Sequence, residues 1–172
     1  MKTVTLLAVL LVAGTMQLVA QDLTNVDFHL RDIEGKDQSF QKFLKEVRGS
    51  EATPRKGVVI ISFWALWCNP CKQEMQALKA TYEKYASRNL HYLAINTDNP
   101  RSLAKVDAWV KSQKLPYRFW LDPNSEVFKK LNGQSMPYSL IVDSDGKLIA
   151  KRVGFIAGDE KEIEEDIRKI LE

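Results

Sequence analysis

An α/β domain with a mixed sheet flanked by helices is the fold class that the order of segments predicts, and three observations carry it. Val58-Val59-Ile60-Ile61-Ser62-Phe63 and Tyr92-Leu93-Ala94-Ile95 run with almost no polar alternation, the pattern of strands buried on both faces. Amphipathic stretches with apolar residues three and four apart lie between and beyond them, so helical crossovers and parallel strands are expected. Ser139-Leu140-Ile141-Val142 and Leu148-Ile149-Ala150 flank Asp143-Ser144-Asp145-Gly146, a hairpin turn that adds an antiparallel pair to the same sheet.

The elements follow in chain order. Residues 22 to 36 read as an N-terminal β-hairpin: Val26, Phe28 and Leu30 alternate with Asp27 and His29, and Asp32-Ile33-Glu34-Gly35 is turn chemistry. Phe40, Phe43 and Leu44 predict a short helix packing back on it. Arg48 to Lys56, with Gly49, Ser50 and Pro54, reads as a surface loop. A helix from Lys72 to about Tyr85 puts Met75, Leu78, Tyr82 and Tyr85 on one face. Asp98-Asn99-Pro100 opens a second helix with Leu103, Val106, Trp109 and Val110 inward, and Pro116 ends it. Phe119-Trp120-Leu121 is a short strand and Glu126 to Leu131 a short helix. In the last helix Asp159 with Glu162 makes a capping-box-like start, and Ile163, Ile167, Ile170 and Leu171 form an apolar stripe.

A chain of 172 residues is long enough for one domain with a sizeable core. The net charge of +3 is spread among acids, and without a basic stripe nucleic acid is not an expected partner. Lys2, the apolar run Leu6 to Ala13 and Leu18-Val19-Ala20 before Gln21 read as a signal peptide over residues 1–20, leaving residues 22–172 as the domain. That predicts a periplasmic or otherwise extracytoplasmic protein; the alternative is an uncleaved N-terminal membrane anchor. The apolar run is shorter than the roughly 20 residues of a spanning helix. An oxidising compartment would let two cysteines pair.

The chain has only two cysteines, in Trp67-Cys68-Asn69-Pro70-Cys71, between an apolar strand and an amphipathic helix. The first thiol then lies at a helix N-terminus, where free N–H groups and the helix dipole favour thiolate over thiol. Pro70 suits the first turn, whose N–H groups have no partner in any case. A purely structural disulfide is the competing reading, but so small a loop gains little from chain entropy. A closed zinc site wants four ligands, and only His29 and His91 remain besides carboxylates, both read as surface residues. Covalent haem attachment requires His after the second cysteine, where this chain has Lys72. No metal and no cofactor are expected.

Phe63-Trp64-Ala65-Leu66-Trp67-Cys68-Asn69-Pro70-Cys71 resembles the active-site segment of the thioredoxin superfamily, and more narrowly the exported TlpA/ResA-like thiol:disulfide oxidoreductases. The resemblance extends to Phe28-x-Leu30-x-Asp32-x-x-Gly35-Lys36, to an inserted helix and strand between Asn96 and Leu131, and to Met136-Pro137. It implies a thioredoxin-like fold with Cys68 as the exposed attacking thiol and Cys71 as the buried resolving thiol. Pro137 would be a cis-proline beside the disulfide. Glu74 would be the acid tied to the pair's protonation, partly buried at the edge of its helix. Ser62 stands where thioredoxin has a buried Asp, which makes Glu74 the leading substitute. Trp67, Met136 and Pro137 are the expected substrate contacts, and Trp64, Trp109 and Trp120 are expected in the core. The resemblance further implies protein disulfides as substrates, a membrane thiol-reductant donor as partner, and a part in cytochrome c maturation or envelope redox balance. Two other readings stand beside it: a peroxiredoxin-like peroxide reductase, which needs a Thr shortly before the reactive thiol where Trp64-Ala65-Leu66-Trp67 stands, and a non-catalytic thioredoxin-fold binding domain.

Overall fold

The computed structural model describes residues 22–172, so the expected signal peptide lies outside the described residues. In chain order the elements are β1 (His29–Asp32), β2 (Asp37–Ser39), α1 (Phe40–Arg48), β3 (Gly49–Ser50), β4 (Thr53–Pro54), β5 (Val58–Trp64), α2 (Asn69–Ala77), α3 (Lys79–Tyr85), β6 (Leu90–Asn96), α4 (Leu103–Gln113), β7 (Arg118–Leu121), α5 (Glu126–Lys130), β8 (Tyr138–Asp143), β9 (Leu148–Val153) and α6 (Asp159–Leu171).

Seven strands form one sheet in the order β2-β1-β7-β6-β5-β8-β9. β5 pairs parallel with β6, and β6 with β7, through the helical crossovers; the other neighbours are antiparallel. All seven residues of β5 are buried, as its nearly continuous apolar run requires of a central strand. The strand alternation then divides the core in two. Val58, Ile60 and Trp64 face α2, α3, α4 and α6 through Met75, Leu78, Tyr85, Val106, Val110, Ile163 and Ile167. Val59, Ile61 and Phe63 face α1 and α5 through Phe40, Phe43, Leu44, Val47 and Val127. Ser62 belongs to the first face, a polar residue at a core position.

The N-terminal hairpin is shifted from its expected bounds. Residues 22–28 are irregular, and the pairing runs from His29↔Ser39 to Arg31↔Asp37 around the predicted turn, with Gly35 at φ +81°. Asp32 takes up the turn itself, accepting from the N–H groups of Glu34 and Lys36, both at 2.9 Å. The 48–56 stretch is a two-rung ladder, Gly49↔Pro54 and Ser50↔Thr53, rather than a plain loop. The helix expected to continue to Tyr85 breaks at Leu78, whose ψ of −2° separates α2 from α3; no proline or glycine marks the break. The predicted capping box of α6 does not form. Gly158 is the N-cap, Asp159 accepts from Ile156 N–H at 2.9 Å, and Glu162 is drawn to Arg152. His91 is half-buried rather than a free surface residue: it bonds Asn89 at 2.8 Å and meets the Phe43 ring edge-on. Trp64 and Trp120 are in the core; Trp109 is partly buried, packed 4.7 Å from the Trp64 ring.

Candidate active site

β5 ends at Trp64, and the chain turns through Ala65-Leu66-Trp67 into α2. Three bonds fix that turn: Cys68 N–H to Ala65 C=O at 3.0 Å, Thr97 N–H to Trp64 C=O at 2.9 Å, and Leu66 N–H to Asp98 Oδ2 at 2.7 Å. Asp98 is itself held by the Asn96 amide at 2.8 Å. The segment read as a helix start is therefore divided. Asn99 caps a short 3-10 turn at Pro100–Ser102, while Asp98 is a buried brace for the cysteine turn. Sequence pattern missed that role because Asp-Asn-Pro is itself a helix-start signal.

Cys68 is the N-cap of α2, and Cys68 and Cys71 are joined as a disulfide with Cα atoms 5.4 Å apart. The Cys71 N–H donates to Cys68 Sγ at 3.2 Å, so one of the unpaired donors of the first turn is aimed at the sulfur expected to attack. Pro70 sits in the first turn, as expected. Cys68 is less open than expected: in this oxidised state it is 3% exposed and Cys71 1%. The N-cap geometry folds its side chain back over the helix mouth, and the exposed group beside it is Trp67, at 70%. Cys71 Sγ lies 3.9 Å from the Phe63 carbonyl, against the end of β5.

Met136-Pro137 is a cis peptide. β8 pairs Tyr138 with Phe63, so Pro137 enters the sheet at the level of Trp64, on the edge where the cysteine turn leaves it. Thr97 Oγ1 lies 3.4 Å from both Met136 Sδ and the Trp64 carbonyl, tying the β6 end to both loops. On the far side Gly154 N–H donates to Pro137 C=O at 2.8 Å. Val153, directly opposite Tyr138, is exposed, and so is Ile156 just beyond it. Sequence reasoning did not single out these two; their apolar character at the end of a strand with little other core was the available signal.

Glu74 is buried outright, 1% exposed, where partial burial was expected. It lies three residues, one turn, beyond Cys71, on the helix face turned to the sheet. Ser62 of β5 and Tyr92 of β6 each donate to its Oε1 at 2.7 Å, and Ser139 of β8 reaches Oε1 at 3.0 Å and Oε2 at 3.1 Å. Ser62, a polar residue at a core position of β5, is thus the seat of the Glu74 carboxyl. Burial pushes Glu74 above the usual carboxylate range, opposed by the three hydroxyl donors and by the positive charge of Arg152. Ser139 lies 3.1 Å from Ser62 as well. When Glu74 is ionised, Ser139 donates to it. When Glu74 holds a proton on Oε2, Ser139 can turn to accept that proton and donate to Ser62. Both protonation states therefore have a complete set of bonds, which a single-donor site would not provide.

A mixed sheet of this order, with a Cys-x-x-Cys disulfide at a helix mouth and a cis-proline at the facing edge, defines the thioredoxin-like class of disulfide proteins. The AhpC/TSA family description matches residues 26–151. Thiol-disulfide oxidoreductase ResA of Bacillus thuringiensis subsp. konkukian is 30% identical over 146 residues, 84% of this chain and 75% of its own length. Sporulation thiol-disulfide oxidoreductase A of Bacillus subtilis is 26% identical over 129 residues, 74% of this chain and 70% of its own. The crystal structure of a thiol:disulfide interchange protein DsbE from Chlorobium tepidum superposes with a TM-score of 0.71 at 25% identity, over 86% of this chain and 94% of that one. The chain belongs to the AhpC/TSA family, and within it is similar to thiol:disulfide oxidoreductases.

Proposed function

We propose that this protein reduces protein disulfides outside the cytoplasm through the Cys68/Cys71 dithiol, with Glu74 as the proton acceptor for Cys71. In the reduced enzyme the Cys68 thiolate attacks a substrate disulfide; a Cys68–substrate bond forms and the first substrate sulfur leaves as a thiolate. Cys71 gives its proton to Glu74 and attacks Cys68 Sγ. The mixed disulfide breaks, the second substrate thiolate leaves, and two electrons have passed from the dithiol to the substrate. The Cys68–Cys71 disulfide present here is the product of that half-reaction. A thiol donor, at the membrane by family resemblance, returns the enzyme to its dithiol. Trp67, Met136 and Pro137, with Val153 and Ile156, form the face on which a substrate chain docks. The proposal extends to export over residues 1–20 and to service in cytochrome c maturation or envelope redox balance.

The observation that carries this reading is Glu74, a fully buried carboxyl one turn behind Cys71 and held by three hydroxyls. A structural disulfide has no use for so costly a neighbour. The test is Glu74→Gln, followed by thiol titration of the reduced protein and redox equilibrium with glutathione. A thiol titration shifted by about one unit supports the assignment; an unchanged titration returns Glu74 to a packing role. An equilibrium potential near that of strong oxidants, roughly −120 mV, would reverse the proposed direction of electron flow.

A further inference from the structure

We infer that Arg152 is a positioning cation for the buried acid, acting on Glu74 from across Ser139, and that Glu162 and Asp166 set how strongly it acts. The inference rests on Glu74 as the proton acceptor of the pair. In the β8–β9 ladder Ser139 is directly opposite Arg152. Cross-strand partners project to the same face, their Cβ atoms about 5 Å apart. Ser139 is also the hydroxyl that reaches both Glu74 oxygens. Arg152 thus leaves β9 on the same face of the sheet as the hydroxyl that holds the carboxyl.

The guanidinium is mostly covered, its side chain 22% exposed, and it is held from outside. Nη1 donates to Glu162 at 2.9 Å and Nη2 to Asp166 at 2.8 Å, while its Nε is buried with no partner among the described residues. Ser62 of β5, Tyr92 of β6 and Ser139 of β8 bond Glu74 directly, Tyr117 ahead of β7 stacks on Tyr92 and donates to Met75 C=O, and Arg152 of β9 supplies a positive charge that acts on the carboxyl. Its charge favours the ionised carboxyl and so limits the effect of burial. Glu162 and Asp166 neutralise part of that charge, and Lys169 pairs with Asp166 at 3.3 Å in turn. Charges on the outer face of α6 are thereby coupled to a buried acid.

The test is the titration of the Glu74 carboxyl by ¹³C NMR in the oxidised full chain labelled at glutamate, its resonance identified by its loss in Glu74→Gln. Arg152→Gln should raise the midpoint by about one pH unit, and Arg152→Lys should restore most of it. Asp166→Asn removes an anion and frees the arginine charge, so its midpoint should fall. Loosening of the β9–α6 packing would move all three variants in one direction, and that result overturns the inference, as does a midpoint unmoved by Arg152→Gln. Should Arg152→Gln fail to fold, Asp166→Asn decides alone, and an unchanged or raised midpoint is the refuting result. If Glu74→Gln leaves the thiol titration untouched, the proton-acceptor reading falls while the arginine coupling stays measurable. If Glu74→Gln shifts the thiols and Arg152→Gln leaves the carboxyl unmoved, only the coupling falls.

Discussion

Replacing Glu74 by Gln is expected to stabilise the oxidised protein, and to do so increasingly as pH rises. Glu74 starts from an ordinary value of 4.5 in the unfolded chain and titrates higher when folded, because burial outweighs the bonds from Ser62, Tyr92 and Ser139. Between those two values the native state holds a proton that the unfolded chain has released. The contribution of Glu74 is therefore fully present below about pH 4.5 and is lost as pH rises through the folded midpoint. The slope of that loss is one proton's worth, at most about 1.4 kcal/mol per pH unit. Gln keeps the shape: its carbonyl can accept from Ser62 and Tyr92, and its amide can donate to Ser139 Oγ. Urea unfolding of both proteins, disulfide intact, at half-unit steps from pH 4 to 9 gives the difference curve directly. It should be flat below pH 4.5, climb at up to that slope, and level off at the pH where the folded carboxyl is half-ionised. A difference independent of pH, or one that grows toward acid, would show that Glu74 does not hold its proton in the native state.

Other expectations concern the braces and the thiols. Asp98→Ala strips the acceptor from Leu66 N–H and should cost about 1–3 kcal/mol in urea unfolding, with Asp98→Asn closer to wild type; equal losses would mean that the side chain acts by packing alone. Burial, then the charges of Arg118 and Arg55, hold His91 down to about 4, so its ring ¹H NMR resonances should not titrate until that pH. Since its pKa is lowered in the fold, the stability linked to His91 is present above about 6.5 and falls away as pH drops toward 4; a ring midpoint above 6 would refute this. Cys71→Ser should accumulate a Cys68 mixed disulfide with a disulfide substrate, read by intact mass, whereas Cys68→Ser should not. Trp67→Ala should change stability by less than about 0.5 kcal/mol, since the ring is 70% exposed, yet slow the reduction of a protein disulfide.

The centre of the sheet was legible because its strands are written as nearly continuous apolar runs. Val58–Phe63 and Tyr92–Ile95 lie inside β5 and β6, and the Asp143–Gly146 turn joins β8 and β9. Legibility failed where short-range signals competed. Residues 49–54 carry turn chemistry that serves a loop or a tight ladder equally well, and α2 breaks at Leu78 with no residue to announce it. At the N-terminus of α6 the acid at Asp159 was correctly seen as a start signal, but Glu162 had a stronger partner in Arg152, which comes from β9. A capping box is local; a cross-element ion pair is not, and the helix pattern alone carries no trace of it.

The same divide runs through the site. Cys68, Cys71 and Pro70 are a contiguous motif, so their place at the mouth of α2 could be read from spacing. Glu74 could be placed one turn beyond Cys71, but not seen as buried, because helix periodicity assigned it to the boundary between Met75 and solvent. What buries it is Ser62 on β5. A small hydroxyl at a core position of the central strand leaves room on the face otherwise filled by Ile60 and Trp64, and α2 fills that room with a carboxyl rather than a methyl group. The serine on the strand and the acid on the helix are then one feature: the carboxyl of α2, one turn beyond Cys71, is seated on the hydroxyl of β5. Ser139 and Tyr92, from the strands on either side of β5, supply the remaining bonds, and neither stood out in the sequence because each is an ordinary residue for a strand. A chain of this kind with Ser62 replaced by an apolar residue of larger size should have no space for a buried acid at position 74. The Ser62→Val, Glu74→Leu double variant is therefore expected to lose less than the sum of the two single losses, although it leaves the buried Tyr92 and Ser139 hydroxyls without their acceptor, while Ser62→Val alone, which crowds the carboxyl and removes a donor, should cost about 1–3 kcal/mol. Urea unfolding of the pair of variants measures the coupling, and additive losses would mean that the serine and the glutamate do not form one unit.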